Sequence, residues 1–479
     1  MSIKKNIFYN VSLSVLNVLF PIITAPYVSR ILGVDNIGVV RFVTTCVTHF
    51  ALFATLGIGI YGVRELAKYK DDQKKCSQIF SSLFMIMLCS TLVVSLLFVL
   101  SINFIPEFKE HRLLFSLYGI VLYLSPITID WYFQAKENFR MITIRSFIVR
   151  LLAIVSLFIF VRERSDIIPY VLISVFSIVA TQVWNLSYAY KTGLRINLRH
   201  LELSRHIKLM LVFFCSRIAI SIYEIMDPVM LGFLSSYEQV GYYTSVYMII
   251  DMMIGGFYAI NTVLLTRLSF NRAQKGNNAN TALLQKTFDF NALLSVPMAI
   301  GLCLIASRFV PFFFGNEFAG SIVPMQILSF KMILGMLNSF FVINVLFVFG
   351  YEKQFLLVAV CTSLLSFALN LLLIPHYGAT ASAIVAIVIG GCFQFGFNFY
   401  FVYKLTHIRL HWRAFRIAVL LSLPFFVLNY LCDRIIIHDF AFLCVFISLS
   451  AIVYFALQLL AKNYLVRSII EIGINRLKF

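Results

Sequence analysis

Charge is what this sequence has least of. Only 13% of its 479 residues are Asp, Glu, Lys or Arg, about half the share in an ordinary soluble domain, where roughly a quarter are charged. Long hydrophilic segments are missing too, which leaves no room for a soluble catalytic domain. No Gly-x4-Gly-Lys-Ser/Thr stretch occurs, so no phosphate loop holds a nucleotide. Paired cysteines are also lacking. The nine cysteines are an odd number, and no two have metal-ligand or oxidoreductase spacing. Eight of them (Cys46, Cys89, Cys215, Cys303, Cys361, Cys392, Cys432 and Cys444) lie in or beside apolar runs and are expected to pack as small core hydrophobes.

What remains is apolar. Hydrophobic residues make up 61% of the chain and mean hydropathy is +0.90, so the fold expected is an all-α integral membrane protein. A helix crosses the hydrocarbon core with about 20 residues, and by that measure about fourteen spans can be placed. They run near 7–31, 37–63, 78–105, 113–134, 142–161, 167–190, 207–234, 240–266, 287–314, 321–349, 354–374, 379–403, 412–432 and 439–461. The opening Met1-Ser2-Ile3-Lys4-Lys5-Asn6 looks like the start of a signal peptide, but no small-residue cleavage site follows a short apolar core, and the first span is expected to stay.

The net charge of +18 is topological. Of 39 lysines and arginines, 28 fall at the N-terminus, in every second loop and in the tail, and seven (Arg30, Lys109, Arg112, Arg162, Arg164, Arg308 and Arg434) fall on the other side. The positive-inside rule then puts both termini in the cytoplasm. Attraction to anionic lipid accounts for the excess, with no nucleic acid involved.

An internal echo suggests how the spans are grouped. A shift of 203 lays Asp35-Asn36-Ile37-Gly38 over Glu238-Gln239-Val240-Gly241. Six spans per repeat is an even number, so both copies run the same way about an axis along the membrane normal. The expected organisation is a six-helix bundle over 1–190, a pseudo-symmetric six-helix bundle over 207–403, two further helices over 412–461 and a cytoplasmic tail over 462–479. Two such bundles rocking about a central cavity is the general layout for alternating access.

The first span carries Pro21 and Pro26 inside its apolar run. Each removes a backbone hydrogen bond, so a bent helix lining a cavity is expected there. It ends in Pro26-Tyr27-Val28-Ser29-Arg30-Ile31-Leu32-Gly33, which resembles the opening motif of the Wzx-type bacterial polysaccharide flippases, in the superfamily of lipid II flippases and multidrug extruders. Three later stretches resemble the same family: Asp130-Trp131-Tyr132-Phe133-Gln134-Ala135-Lys136-Glu137, Asp227 through Gly232 with Gly241-Tyr242-Tyr243, and Asn370 through Gly378 with its Ile374-Pro375-His376. A lysine common in relatives is replaced by Met248. The resemblance implies export of a polyprenyl-pyrophosphate-linked oligosaccharide across a bacterial inner membrane. It also implies contact with a polysaccharide polymerase and chain-length machinery.

The residues fit that implication. A bare pyrophosphate entering hydrocarbon meets a cost of tens of kcal/mol, so cations at depth are expected to receive it, arginine above all for its two-pronged donation. The candidates are Arg30, Arg41, Arg150, Arg217 and Lys331. Arg217, Ser221 and Glu224 share a helical face at steps of four and three, and Asp227 follows. Glu224, Asp227 and Asp251 are the candidates for coupling to H+ or Na+, and Asp130 is a candidate gate at the cytoplasmic face. Structural alternatives stand beside each. Asp130 pairs locally with Lys136 or Arg140, Trp131 and Tyr132 sit in an interfacial aromatic belt, and Asn338, Asn344 and Asn370 make packing bonds between helices. Pro375 and Gly378 fit a tight turn. No enzymatic activity, metal or cofactor is expected. The rival readings are a cation-coupled drug antiporter of the same fold, and a membrane glycan polymerase or ligase.

Overall fold

A computed structural model describes residues 3–197, 201–275 and 280–466. Every regular element among them is helical. Among the described residues nine helices are long and apolar enough to cross a membrane, or eleven when each of two bent pairs is taken as one span. The chain is thus a multi-pass membrane protein, with fewer separate helices than the fourteen runs counted in sequence. Part of the reason lies in two glycines. Stretches Val15–Ala67 and Glu352–Thr406 are 53 and 55 residues long, far more than the roughly 20 needed for one crossing. Helix runs directly into helix at Gly33 (φ 75°, ψ 171°) and Gly378 (φ 51°, ψ −130°). At positive φ a Cβ is costly, so glycine permits the break without any loop. The backbone stays helical through Pro21 and Pro26, and the break in this stretch falls at Gly33. The turn expected around Pro375 and Gly378 is likewise a kink inside one helix.

The chain packs as two units, Met1–Gly241 and Tyr242–Phe479. The first holds α1 (Ile3–Thr55), α2 (Ile58–Ala67), α3 (Gln73–Phe104), α4 (Pro106–Glu110) and α5 (Arg112–Tyr123). It continues with α6 (Asp130–Ala135), α7 (Phe139–Phe160), α8 (Ile167–Lys191), α9 (Leu203–Ile225) and α10 (Asp227–Leu234). Its basic end is closed by an aromatic core. Phe80 stacks on Trp131 at 5.5 Å between centroids and meets Tyr132 edge-on at 5.8 Å. Trp131 is 4% exposed and Tyr132 1%, so both are core side chains and not an interfacial belt. Their helix, α6, is only six residues long and turns its rings inward against α2 and α3. Gly62 on α2 makes room, because a Cβ there would lie 2.6 Å from the Trp131 ring.

The second unit contains most of α11 (Tyr237–Lys275), then α12 (Thr281–Phe314), α13 (Ile322–Ser329), α14 (Lys331–Ser339), α15 (Glu352–Val385) and α16 (Gln394–Thr406). It ends with α17 (Arg413–Ser422), α18 (Pro424–Ile435) and α19 (Asp439–Leu460). Its core gathers Phe288, Phe340, Phe341, Phe395 and Phe399 around Trp412, whose ring meets Phe288 edge-on at 5.0 Å. Segments Phe340–Phe347 and Ala386–Phe393 are π-helical. The packing role expected of asparagines is met at two positions. Asn344 donates to the Asn261 carbonyl at 3.0 Å, and Asn398 donates to Asn338 Oδ1 at 2.8 Å.

The last two helices are pinned to α12 by one arginine. Arg308 donates to Asp433 Oδ1 at 2.7 Å and Asp439 Oδ1 at 3.0 Å, and its guanidinium lies 5.1 Å from the centroid of the Phe442 ring. Charged hydrogen bonds contribute about 1.5–3 kcal/mol each when shielded, less when half open to solvent. Arg308→Ala is expected to cost about 1–2 kcal/mol, and Arg308→Lys most of that, because lysine cannot span both carboxylates. Thermal melting of the purified protein checks it; an unchanged midpoint in both variants would show the contacts to be screened.

The cysteines depart from expectation. Cys46, Cys76 and Cys432 are buried, whereas Cys89, Cys215, Cys361, Cys392 and Cys444 are exposed and Cys303 is half-buried. The outer face of a membrane helix meets hydrocarbon, so a thiol is as well accommodated there as in the core.

Candidate substrate site

The break between α6 and α7 sets up the first unit's strongest polar contact. Glu137 takes a left-handed φ of 55°, and Asn138 then caps α7, its Oδ1 accepting from the Met141 N–H at 3.4 Å. Arg145 therefore falls in the second turn of α7, turned toward α6 and α8. Its Nη1 donates to Asp130 Oδ1 at 2.8 Å and also to Asn185 Oδ1, and its Nη2 donates to Ser146 Oγ at 3.1 Å. Asn185 closes the ring, donating to Asp130 Oδ1 at 2.9 Å. Asp130 is thus paired across helices with Arg145, not locally with Lys136 or Arg140. Lys136 is committed elsewhere, to Gln73 Oε1 at 2.5 Å. Arg145 stands in sequence among the loop cations, yet its side chain is 4% exposed. The Nε of Arg145 is buried and has no partner.

Five residues further along α7, Arg150 points to another side of the helix. Its Nη2 donates to Asn17 Oδ1 at 2.6 Å and its guanidinium lies 5.6 Å from the centroid of the Phe20 ring, both on α1. Its Nη1 is buried without a hydrogen-bond partner. Arg150 is thus half-buried, with Nη1 unpaired and out of reach of solvent in this conformation. Arg41 is also half-buried on α1, whereas Arg30 is exposed one turn before the Gly33 break.

The opening motif does structural work around these arginines. Tyr27 donates its hydroxyl proton to the Val161 carbonyl at 2.7 Å, and Asn36 donates to the Arg164 carbonyl at 2.9 Å. Asp35 adds an ion pair to Arg164 at 3.5 Å. The loop they grip is itself organised by Asp166, which accepts from the backbone N–H groups of Arg162 and Glu163 at 2.8 and 2.9 Å. Those two donors hold its carboxyl below the usual aspartate range.

The candidate residues near the echo are distributed as follows. Arg217 is exposed on α9, Ser221 is buried and donates to the Ile218 carbonyl at 3.0 Å, and Asp227 is half-buried in the first turn of α10. The side chain of Glu224 lies outside the described residues. In the second unit Lys331 donates to the Tyr247 hydroxyl at 3.0 Å with its Nζ 4.3 Å from the centroid of the ring, and Tyr247 stacks on Tyr243 at 5.4 Å. Asp251 is exposed one helical turn beyond Tyr247 on α11, so the two share a face.

Two polar features carry no motif in the sequence. One is the Arg145–Asn185 knot. The other is a buried amide chain in which Asn261 donates to Ser339 Oγ at 3.0 Å and Asn291 donates to Asn261 Oδ1 at 3.3 Å. Single asparagines in apolar runs are the only signal of it, and the packing alone shows which ones meet.

The echoed tetrapeptides pack against each other, and reciprocally. A Cβ on Gly38 would lie 1.7 Å from the Tyr237 carbonyl oxygen, and one on Gly241 would lie 2.4 Å from the Val34 carbonyl oxygen. Residues 34 and 38 become 237 and 241 under the same shift of 203 that relates the tetrapeptides.

The family described as polysaccharide biosynthesis protein matches residues 3–269. A protein of Escherichia coli (strain K12) named "Putative O-antigen transporter" is 25% identical over 376 residues, covering 77% of this chain and 89% of its own. A Shigella dysenteriae protein of the same name is 25% identical over 48% of this chain and 58% of its own. Among solved structures, the lipid II flippase MurJ in an inward closed conformation superposes with a TM-score of 0.79 at 12% identity, covering 96% of this chain and all of that one. An inward-facing multidrug resistance transporter of the MATE family gives 0.66 at 15% identity, over 84% of this chain and 98% of its own. The fold is therefore that of these exporters.

Proposed function

Because the chain belongs to the polysaccharide biosynthesis protein family, we propose that it is a flippase for a lipid-linked oligosaccharide. Its cargo on this reading is a polyprenyl-pyrophosphate carrying a glycan repeat unit, moved from the cytoplasmic to the outer leaflet of a bacterial inner membrane. The observation that carries the reading is the relationship over most of both chains to a protein named as an O-antigen transporter. The chemistry of the cations supports it. Arg150 is half-buried on α7, a positive charge at depth whose guanidinium can be re-paired from Asn17 to a phosphate oxygen. Arg30, Arg41, Arg217 and Lys331 are assigned to the same anion along its path, and Asp130 to the cytoplasmic gate.

The driving force follows from the sign of the cargo. An interior-negative potential favours outward movement of an anion by about 2.3 kcal/mol per charge per 100 mV. Inward H+ or Na+ at Glu224, Asp227 or Asp251 would add to it. The chain acts as a transporter without covalent chemistry, with both termini in the cytoplasm, where the lysine- and arginine-rich loops lie. A polysaccharide polymerase and its chain-length partner would take up the delivered unit.

Deleting the gene in its own host tests the reading. Lipid-linked oligosaccharide is expected to accumulate, protected from an impermeant glycosidase, while surface polymer disappears. Unchanged intermediate together with raised sensitivity to cationic drugs would replace it with an antiporter. In complementation, Arg150→Gln is expected to reduce export about tenfold or more, the equivalent of one charge-assisted hydrogen bond. Arg150→Lys should recover part of that loss, since it keeps the charge and loses the fork.

A further inference from the structure

At the basic end of the first unit, α7 and α8 line an open cavity of about 820 Å³. Arg140, Arg145 and Lys191 supply three positive charges to its lining, and Asn138 and Ser187 add polar groups. The only carboxylate in contact with these residues among the described ones is Asp130, bound to Arg145. The rest of the wall is apolar and includes Met141, Ile144, Val183 and Trp184. Arg145 is more than nine-tenths buried and its Nε has no partner.

The outer walls continue away from the charges as apolar stripes. On α7, Ile144, Phe147 and Leu151 are exposed, and on α8, Val183, Phe176 and Leu172 are exposed, spaced by three, four or seven residues. Those spacings keep each set on one helix face. Cations at the mouth and an open apolar track running inward match one kind of occupant, an acyl chain joined to a phosphate.

We propose that this cavity is a resident site for an anionic phospholipid of the leaflet at the basic end. Its phosphate is held by the exposed Arg140 and Lys191, with the buried charge of Arg145 behind them. Its acyl chains lie along the Ile144 and Val183 stripes. The assignment of that leaflet rests on the flippase reading of the topology, but the site does not carry the exported cargo. The cavity is formed by two helices whose neighbouring apolar residues are exposed, so a bilayer lipid reaches it laterally. Its single fixed acid, already bound to Arg145, leaves a net positive charge suited to one phosphodiester.

The test uses the full chain purified into nanodiscs containing equal phosphatidylglycerol and phosphatidylcholine of matched acyl chains, with retained lipid read by native mass spectrometry. Phosphatidylglycerol is expected to be retained preferentially. The exposed pair Arg140→Gln/Lys191→Gln is expected to lower that retention about tenfold, since basic residues at a membrane surface each attract anionic lipid appreciably, with phosphatidylcholine unaffected. Brominated phosphatidylglycerol is expected to quench Trp184 fluorescence, an effect lost in Trp184→Phe. Equal retention of both lipids, or a double variant like wild type, overturns the proposal. So does displacement of phosphatidylglycerol by polyprenyl pyrophosphate at lower concentration, which would make the cavity a cargo site. The readout is lipid occupancy, so an error in the flippase reading would show in export assays and leave these results unchanged.

Discussion

Asp130→Ala is expected to destabilise the protein by about 3 kcal/mol, because it leaves Arg145 buried with its charge uncompensated. Asn185 and Ser146 remain as partners for Arg145, but neither carries a charge. Asp130 itself is 39% exposed at its side chain, which keeps the figure toward the lower end of what breaking a buried pair costs. Removing both charges is a different experiment. Asp130→Ala/Arg145→Met is expected to recover most of the loss, since a methionine of similar length needs no counter-charge. Melting midpoints of the three proteins in one detergent check the cycle: about 3 °C below wild type for the single variant, and near wild type for the double. If the double variant melted as low as the single one, the pair would not be what holds α6, α7 and α8 together. A stable double variant that no longer exports polymer would support Asp130 as a gate.

Gly38→Ala is the second large effect. The added methyl would sit 1.7 Å from a carbonyl oxygen of the facing backbone, which no side-chain rotation relieves. Overpacking of a close contact costs about 1–3 kcal/mol or more, and here the helices themselves must part. Export of surface polymer is expected to fall severely. Gly241→Ala should behave alike, its methyl meeting the Val34 carbonyl at 2.4 Å. The double variant is expected to be only slightly worse than Gly38→Ala, because one displacement clears both contacts and neighbouring effects do not add. Immunoblotting separates loss of protein from loss of export. Additive losses would mean that the two glycines do not share a seam.

Several features are legible in the residue order alone. The apolar runs, the scarcity of charge and the lysine and arginine asymmetry together specify a polytopic helical membrane protein, since each reports the cost of placing polar groups in hydrocarbon. The opening motif and the Asp130 stretch point to the family that matches residues 3–269. The shift of 203 is visible as four similar positions, and its glycines meet in space.

Other features depend on which helix faces which. Trp131 and Tyr132 read equally well as interfacial or buried, for both environments accept a large ring with one polar atom. Only the inward turn of α6 against Phe80 and Gly62 decides for the core. Arg145 reads as a loop cation because it follows Lys136 and Arg140, and it becomes buried because α7 starts at Phe139 and Asn185 waits on α8. By itself the amino-acid order determined the membrane class, the apolar segments, the basic face and the family. These follow from local hydropathy and charge, which each residue carries wherever it lies. The tertiary structure alone decided that Asp130 belongs to Arg145, that Arg150 bonds Asn17 and leaves its Nη1 unpaired, and that Gly38 and Gly241 must be glycine. Those are contacts between residues far apart in the chain, set by helix packing, and no local pattern encodes a distance.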